Sequence, residues 1–416
     1  MSATRFSRVL PLLVAVCLVC LFIASAPHVH ASASSSTASQ SHSLHPAIST
    51  SCPSPGTARA ASLPSMTLGS HPTIVYIVNE GTSSQPASGT LKRYDVVTSN
   101  KVEILKMSGT SISEAQVSAN GQWLLFVAHV SGQVKLQLVR MDGHFLQTLY
   151  CGNPAEVQWS ANQQLMVFSD SGHVYLLNVT SGALQVELSF SRGVSIHPRT
   201  WLDKIRVYVT IQLPDSPPES LAILDTSKGP NQRYQDLPVA FDASTSTPFC
   251  WDFDSSFDAN NLFVSQCSAS SSGGVGANIF QGPSVITVRP PAGSSYSYLY
   301  VNQGKAFSAI RAVTSTTLLF TVGNTTGDTS QNGLWKVGTD GSHAAHLTPS
   351  GEFNQFTQFP WSNVSRDGTR YVLQIITSTS TSTTYTLEFG SLSGGSPVVF
   401  ASITGTQLAT AGWTTM

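Results

Sequence analysis

The sequence predicts an all-β protein, a seven-bladed β-propeller of four-stranded antiparallel blades, with strands from the N- and C-terminal ends of the fold closing one blade. Three observations in the 416 residues lead to this prediction. A ten-residue segment recurs, a second hairpin follows each copy, and the last residues resemble a strand that the first repeat lacks. Six blades is the alternative, because the fourth and fifth repeats match the pattern poorly.

The recurring segment begins near a serine and runs into an apolar strand. VSANGQWLLF at Val117–Phe126 returns as WSANQQLMVF at Trp159–Phe168 and as VSRDGTRYVL at Val364–Leu373. Asn-Gly and Asp-Gly between apolar runs are hairpin signals, because these residues accept a positive φ. The segment therefore predicts the end of an inner strand, a tight turn and the next strand. Looser copies stand at Ser255–Val264, Thr200–Val209 and Ala312–Thr321.

A second hairpin follows these segments. LQLVRMDGHFLQTLY and LWKVGTDGSHAAHLT share a strand, an Asp-Gly turn and a returning strand. Two hairpins in each repeat give a four-stranded meander, and repeats of roughly 40 to 50 residues with four strands are typical of propellers. Seven such second hairpins begin near residues 92, 136, 174, 221, 284, 334 and 386.

The two ends of the folded region complement each other. The first segments, TIVYIVNEG and TLKRYDVVTSNKVEIL, supply three strands and lack an inner one. Near the C-terminus, Gly412-Trp413-Thr414 resembles Gln158-Trp159-Ser160, which ends a predicted inner strand. We therefore expect Gln407–Thr414 to complete the first blade. Such closure hides sheet edges that would otherwise pair with other chains.

The N-terminus has the pattern of an export signal. Arg5 and Arg8 precede an apolar run of 18 residues, Val9–Ala26, and small residues at 24–26 and 31–33 offer cleavage sites. The run is also barely long enough to cross a bilayer, so an uncut anchor is the alternative. We expect a secreted or cell-surface protein. The predicted organisation is a signal peptide or membrane anchor at 1–33, a Ser/Ala/Pro-rich flexible stalk at 34–70 and the propeller at 71–416.

Charge excludes some classes of partner. The net charge is −1 and charged residues make up 10% of the chain, so there is no basic field for nucleic acid. Contact with a membrane is expected only through an uncut N-terminal segment. We expect a monomer without a cofactor.

The sequence lacks the common catalytic motifs. It contains no G-x-S-x-G and no H-E-x-x-H, and no second C-x-x-C accompanies Cys17 and Cys20 of the apolar run to make a zinc site. We predict no catalytic residue and no metal ligand, and an enzyme is the less favoured interpretation.

Polar residues recur at fixed positions before the repeat serine. They stand two and four positions earlier on three predicted inner strands, and strand alternation places each pair on one face. If that face meets the central channel, four carboxylates gather at its mouth and could bind a cation, an amino group or sugar hydroxyls. The alternative is that these side chains hydrogen-bond between adjacent blades. The residues are Glu114 and Gln116, Glu156 and Gln158, and Asp252 and Asp254.

Four cysteines follow the apolar run. Cys250 and Cys267 are placed symmetrically about the predicted turn at Asp258-Ala259, so a regular hairpin sets them opposite each other. Their Cα atoms can then approach the separation that a disulfide favours, and we predict that bond. A second bond between Cys52 and Cys151 would join the stalk to the end of the second blade.

The repeat resembles that of the TolB-like, WD-type propeller family. That repeat has an inner strand, Trp-Ser-Pro-Asp-Gly, an apolar strand ending in Phe and a strand carrying Asp-Gly. Trp159-Ser160-Ala161-Asn162, Ser118-Ala119-Asn120-Gly121 and Ser365-Arg366-Asp367-Gly368 match it, without the Pro and often with Asn for Asp. The likeness covers nearly all of residues 70–416. It implies a fold and an interaction role, because a fold carries no chemistry by itself.

Function is less constrained than fold. We expect an exported, non-catalytic binding or scaffold module whose partner is an unknown protein or a surface glycan. The alternative is a carbohydrate-active enzyme, a lyase or hydrolase, that uses the carboxylates at the channel mouth. A structural surface protein without a small ligand is a third possibility.

Overall fold

Seven antiparallel sheets follow one another along the chain. The computed structural model describes residues 49–81, 85–189, 194–213, 216–229, 234–237, 250–256, 258–267, 283–291, 295–303, 305, 307–324, 328–349 and 363–416. Within these ranges, 27 strands form six four-stranded sheets and one three-stranded sheet. The prediction of seven blades with antiparallel strands is confirmed, and the six-bladed alternative is wrong.

The first three blades contain strands of five to ten residues. Blade 1 joins the two ends of the fold, in the order β27-β1-β2-β3, and blades 2 and 3 are meanders. Blade 1 holds β1 (Pro72–Gly81), β2 (Pro86–Asp95), β3 (Lys101–Ser108) and β27 (Gln407–Thr415). Blade 2 holds β4 (Thr110–Val117), β5 (Trp123–Val130), β6 (Gln133–Arg140) and β7 (Gln147–Gly152). Blade 3 holds β8 (Ala155–Trp159), β9 (Leu165–Asp170), β10 (His173–Asn178) and β11 (Leu184–Ser189).

Blades 4 to 7 continue the pattern. Blade 4 holds β12 (Ser195–Trp201), β13 (Arg206–Leu213), β14 (Ser216–Asp225) and β15 (Tyr234–Leu237). Blade 5 holds β16 (Cys250–Ser255), β17 (Leu262–Cys267), β18 (Pro283–Arg289) and β19 (Ser297–Gln303). Blade 6 holds β20 (Phe307–Ala312), β21 (Thr317–Val322), β22 (Gly333–Gly338) and β23 (Ala345–Thr348), with a 3-10 helix at Thr329–Gln331. Blade 7 holds β24 (Arg370–Ser378), β25 (Thr383–Ser391) and β26 (Val398–Thr404), and a bridge between Val364 and Tyr371 marks its inner position.

Four of the six copies of the recurring segment fold into the same hydrogen-bonded turn. In blade 2, Ser118 Oγ donates to Asn120 Oδ1 (2.7 Å) and accepts from Trp123 N (3.0 Å). The side chains thus hold the turn closed and satisfy a backbone N–H at the start of the next strand. The same pair of bonds recurs at Ser160, Ser256 and Ser365 in blades 3, 5 and 7. This requirement explains why a serine followed two positions later by Asn or Asp repeats along the chain.

The hydrophobic core lies between the blades. The described part of the chain holds seven clusters of buried side chains, and each draws on two neighbouring blades. One of them joins blade 7 to blade 1, with Trp413 of β27 and Leu387 of β25 among its members. Seven blades linked by seven clusters form a closed ring.

The ring closes through β27, as the sequence predicts. This strand pairs with β1 from Pro72↔Thr415 to Asn79↔Gln407. Thr414 Oγ1 donates to Gly121 O in blade 2 (2.7 Å), and Gly121 has a φ of +75° with no room for a Cβ beside Thr414. Arg366 of blade 7 donates to Ser118 O (2.6 Å). Three blades are therefore tied together where the chain returns to its start.

Residues 49–70 form a strap along blades 2 and 3. Thr148 N of β7 donates to Ser49 O (2.8 Å), and Arg59 N donates to Leu149 O (2.9 Å). Gln147 bonds both the N–H and the C=O of Ser62 (2.9 and 2.8 Å). Backbone bonds therefore hold residues 49–70 against blades 2 and 3, although the composition of this segment offers few large apolar side chains. The division into a stalk at 34–70 and a propeller at 71–416 stays a prediction. Residues 34–48 of the predicted stalk and the predicted signal or anchor at 1–33 lie outside the described residues.

The structure confirms one of the two predicted disulfides and does not test the other. Cys52 and Cys151 form a disulfide with Cα atoms 5.7 Å apart, so the predicted link between the strap and blade 2 is confirmed. The register of β16 and β17 sets Cys250 opposite Cys267. Their side chains lie outside the described residues, so that disulfide stays a prediction. The described part of the chain also holds no helix with the length and hydropathy of a membrane span.

We expect truncation after Gly405, which removes β27, to abolish cooperative unfolding. Blade 1 would lose its inner strand, and the clusters that join it to blades 7 and 2 would lose members on both sides. Thermal unfolding followed by circular dichroism measures the effect, with deletion of Met416 alone as the control. An unchanged melting temperature in the truncated protein would show that β27 does not close the ring.

We expect Cys52→Ser with Cys151→Ser to lower the free energy of unfolding by about 2–4 kcal/mol, because the bond closes a long loop in the unfolded chain. Denaturant unfolding with and without reductant measures it. In the double variant, any remaining effect of the reductant reports a bond between Cys250 and Cys267. If the double variant were as stable as the oxidised parent, the bond would not be what holds the strap.

Candidate functional site

The six predicted site residues separate into two groups. Glu114 and Gln116 of β4 lie with Glu156 and Gln158 of β8 where blade 2 meets blade 3. Asp252 and Asp254 of β16 lie where blade 5 meets blade 6. Each blade packs its faces on its neighbours, so inner-strand side chains reach the next blade.

At the first junction, side-chain oxygens of β4 accept backbone N–H groups of β8. Glu114 Oε1 and Oε2 accept from Glu156 N (2.8 Å) and Val157 N (3.1 Å). Gln116 Oε1 accepts from Trp159 N (2.9 Å). These bonds fix β8 against β4 and satisfy N–H groups that no strand pairs on that side.

The second junction repeats the device. Asp252 Oδ2 accepts from Ile310 N of β20 (3.0 Å) and from Arg311 Nη1 (2.7 Å). Asp254 Oδ2 accepts from Ala312 N (2.8 Å), and its Oδ1 accepts from Ser255 N (2.9 Å). Glu114, Gln116, Asp252 and Asp254 therefore form hydrogen bonds between adjacent blades, which was the alternative to ligand binding in the sequence analysis. Ligand binding by these residues stays a prediction.

Burial shifts two of these acids toward their neutral forms. It raises the pKa of Glu114 to about 7, against the opposing effect of the two N–H donors. Burial likewise raises the pKa of Asp254 to about 7, although Arg311 acts in the other direction. The cavity beside Glu114 has a volume of only about 10 Å³, which is room for a single water molecule.

Glu156 points away from this junction toward blade 4. Its φ is +55°, a conformation uncommon for a residue with a side chain, and it lies in a register shift between Ala155 and Gln158. The carboxylate bonds His197 Nδ1 of β12 (2.6 Å), and Ser169 Oγ donates to it (3.4 Å). Because Glu114 holds the N–H of Glu156, one acid fixes the backbone turn that directs the other.

Gln158 is buried beside this turn. Its backbone C=O accepts from Trp201 Nε1 of blade 4 (3.1 Å). Its side-chain Oε1 has no hydrogen-bond partner among the described residues. Gln158 therefore joins blades 3 and 4 through its main chain.

His197 and Ser169 lead into a cleft between blades 3 and 4. The cleft has a volume of about 230 Å³ and is lined by residues within 153–155, 169–173 and 194–197. Asp170 forms part of its wall and is buried, with bonds from Tyr150 Oη (2.7 Å), Asn153 N (2.9 Å) and Ser171 Oγ (2.6 Å). We call this space the 3–4 cleft.

Sequence reasoning missed the residues of this cleft. Of the six predicted residues, Glu156 alone contacts its lining side chains in the described structure, through His197 and Ser169. The eroded repeat at Thr200–Val209 marks blade 4, and counting back along its inner strand leads to His197. No pattern in one strand reveals that His197 meets an acid of the preceding blade.

Comparison with known proteins shows similarity in fold. No protein-family model and no curated protein match the chain. TolB from Acinetobacter baumannii is 12% identical over 66% of this chain, with a TM-score of 0.43, and this chain spans 62% of its length. An uncharacterized protein from Listeria monocytogenes EGD-e is 11% identical over 73% of this chain and 86% of its own (TM-score 0.45). A puromycin-hydrolyzing peptidase from Mycobacterium tuberculosis is 14% identical over 75% of this chain and 52% of its own (TM-score 0.47).

We expect the free energy of unfolding to fall as the pH rises from about 5 to about 8. The pKa values of Glu114 and Asp254 in the fold, about 7, exceed their ordinary values of 4.5 and 3.8, so the folded state holds protons that the unfolded chain releases. The stability that these protons contribute is complete at low pH and is lost as the pH passes 7.

Denaturant unfolding at several pH values measures this dependence. Glu114→Gln and Asp254→Asn should each flatten the slope between pH 5 and 8. Glu103→Gln, at an exposed acid of β3, is the matched control and should leave the slope unchanged. A wild-type stability that rises across this range would show that both buried acids are ionised in the folded protein.

Proposed function

We propose that the chain is an exported, non-catalytic β-propeller that binds a protein or surface glycan through one of its faces. The observation that carries the proposal is that the acids of the inner strands accept hydrogen bonds from the protein itself. Both oxygens of Glu114, and oxygens of Asp252 and Asp254, accept N–H groups. These acids form hydrogen bonds that join the blades, so we place the binding site on the exposed surfaces.

Two further features support export and a rigid surface. The N-terminal run has the pattern of a secretory signal or an anchor. The bond between Cys52 and Cys151 fits an oxidising compartment, where disulfides persist. A ring closed by seven interfaces presents its loops on a fixed frame, which is the arrangement that binding surfaces use.

A carbohydrate-active enzyme is the second candidate. One observation favours it, because the pKa of Glu114 is raised to about 7 by burial and a second carboxylate, Glu156, lies close by. Glycoside hydrolysis uses two carboxyl groups, one of which has a raised pKa and donates a proton. Against it, the cavity at Glu114 holds about 10 Å³, which excludes a sugar ring. We therefore favour binding without turnover.

A thermal-shift screen of the purified full chain against neutral oligosaccharides, short peptides and divalent cations tests the proposal. A ligand that binds the folded state must raise the melting temperature by mass action. We expect at least one class to do so and to be recovered chemically unchanged by mass spectrometry. Consumption of a glycan that Glu156→Gln abolishes would replace binding by catalysis. No shift with any class would contradict a role in binding these ligands.

A further inference from the structure

We propose that the 3–4 cleft is a binding site for one neutral sugar residue of a glycan. This inference rests on the proposed binding function and names its site and ligand class. It concerns the space between the hairpin turn of β9 and β10 and the start of β12, which His197 lines and which Glu156 adjoins through its bond to His197.

Size limits the ligand. The cleft measures about 230 Å³, below the roughly 300–1,000 Å³ of pockets for drug-sized molecules. A single six-membered ring fits such a space, with the rest of a chain continuing into solvent. The exposed Ser171 and Ser195 lie on opposite walls, on blades 3 and 4.

The two carboxylates at the cleft, Asp170 and Glu156, already have hydrogen-bond partners within the protein. Both oxygens of Asp170 accept hydrogen bonds, from Tyr150 Oη, Asn153 N and Ser171 Oγ. The carboxylate of Glu156 lies on His197. Apart from the carboxylate of Asp170, which is occupied by these three donors, the polar groups of the lining are hydroxyl, amide and imidazole groups. Such groups donate and accept side by side, as the hydroxyls of a neutral sugar require.

The polar groups stand beside apolar ones. Ala155 and Val194 are partly exposed in the lining, next to the hydroxyls of Ser169 and Ser195. A sugar ring has the same mixed character, with C–H groups on its faces and hydroxyls around its rim. Binding sites that combine an apolar wall with a few placed polar groups fix the orientation of their ligand.

The walls are rigid before any ligand arrives. Gly152 passes so close to Asp170 that a Cβ would stand 2.2 Å from Oδ2. Glu156 has a φ of +55°; its N–H donates to Glu114, and its carboxylate accepts from His197 Nδ1. Backbone conformations of this kind persist where the surroundings over-determine them, and they cluster at functional sites. We assign Glu156 as the residue that positions His197.

The test is a titration of the full chain with neutral monosaccharides and short neutral oligosaccharides, followed by calorimetry and by melting temperature. Ser195→Trp fills the cleft from an exposed position, where the described residues form no side-chain hydrogen bond with Ser195. Ser297→Trp, at an exposed serine of β19 in blade 5, is the matched control. We expect a sugar to bind the parent and the control alike, and Ser195→Trp to weaken binding at least about tenfold.

Glu156→Gln separates positioning from folding. This substitution keeps the length of the side chain and removes the negative charge that contacts His197. We therefore expect the Kd for the sugar to rise about tenfold, while the melting temperature without ligand stays close to that of the parent. A charged peptide or an anion that binds in the cleft in place of sugars would overturn the assignment.

Two failures are distinguishable. If Ser195→Trp left sugar binding intact, the 3–4 cleft would be excluded as the binding site, while the proposed binding function would stand. The absence of binding by sugars, peptides and cations alike would overturn both.

Discussion

Each blade of this protein must cover both faces of its sheet, and the ring is the arrangement that achieves this. Seven clusters of buried side chains fill the seven spaces between the blades of the described structure. Side-chain oxygens of one inner strand then reach across and accept N–H groups of the next, as Glu114 and Asp252 do. A blade outside the ring would expose two apolar faces and leave these N–H groups without acceptors. The fold is therefore stable as a whole, while its parts depend on their neighbours.

The fold could be predicted because its turn demands particular residues. Ser118, Ser160, Ser256 and Ser365 each close the same turn, so their spacing counts blades even where the apolar residues differ. Closure by the last strand followed from the same pattern, because Gly412-Trp413-Thr414 looks like the end of an inner strand. The strap could not be predicted in this way. It is held by backbone bonds and by Gln147, and composition records neither.

The candidate site was predicted in part. Counting back from the serine found the acids of β4, β8 and β16, because equivalent positions in a repeat serve equivalent contacts. Alternation along a strand says which residues share a face, but not what that face meets. The register shift at Glu156 also turns its side chain toward His197, a residue of another blade that no local pattern connects to it. Contacts between repeats remain the least readable part of a repeat sequence.

The closing strand also sets the order in which the molecule can fold. Asn79 and Gln407 touch across 328 positions of chain, whereas most strand pairs form within one repeat. Pairing over such a separation is kinetically slow, because a long loop must close before any contact rewards it. Until β27 arrives, β1 presents an unpaired inner edge and the apolar faces of blades 7 and 2 stay partly open. The unfinished ring is thus the species most exposed to aggregation and to capture by a chaperone.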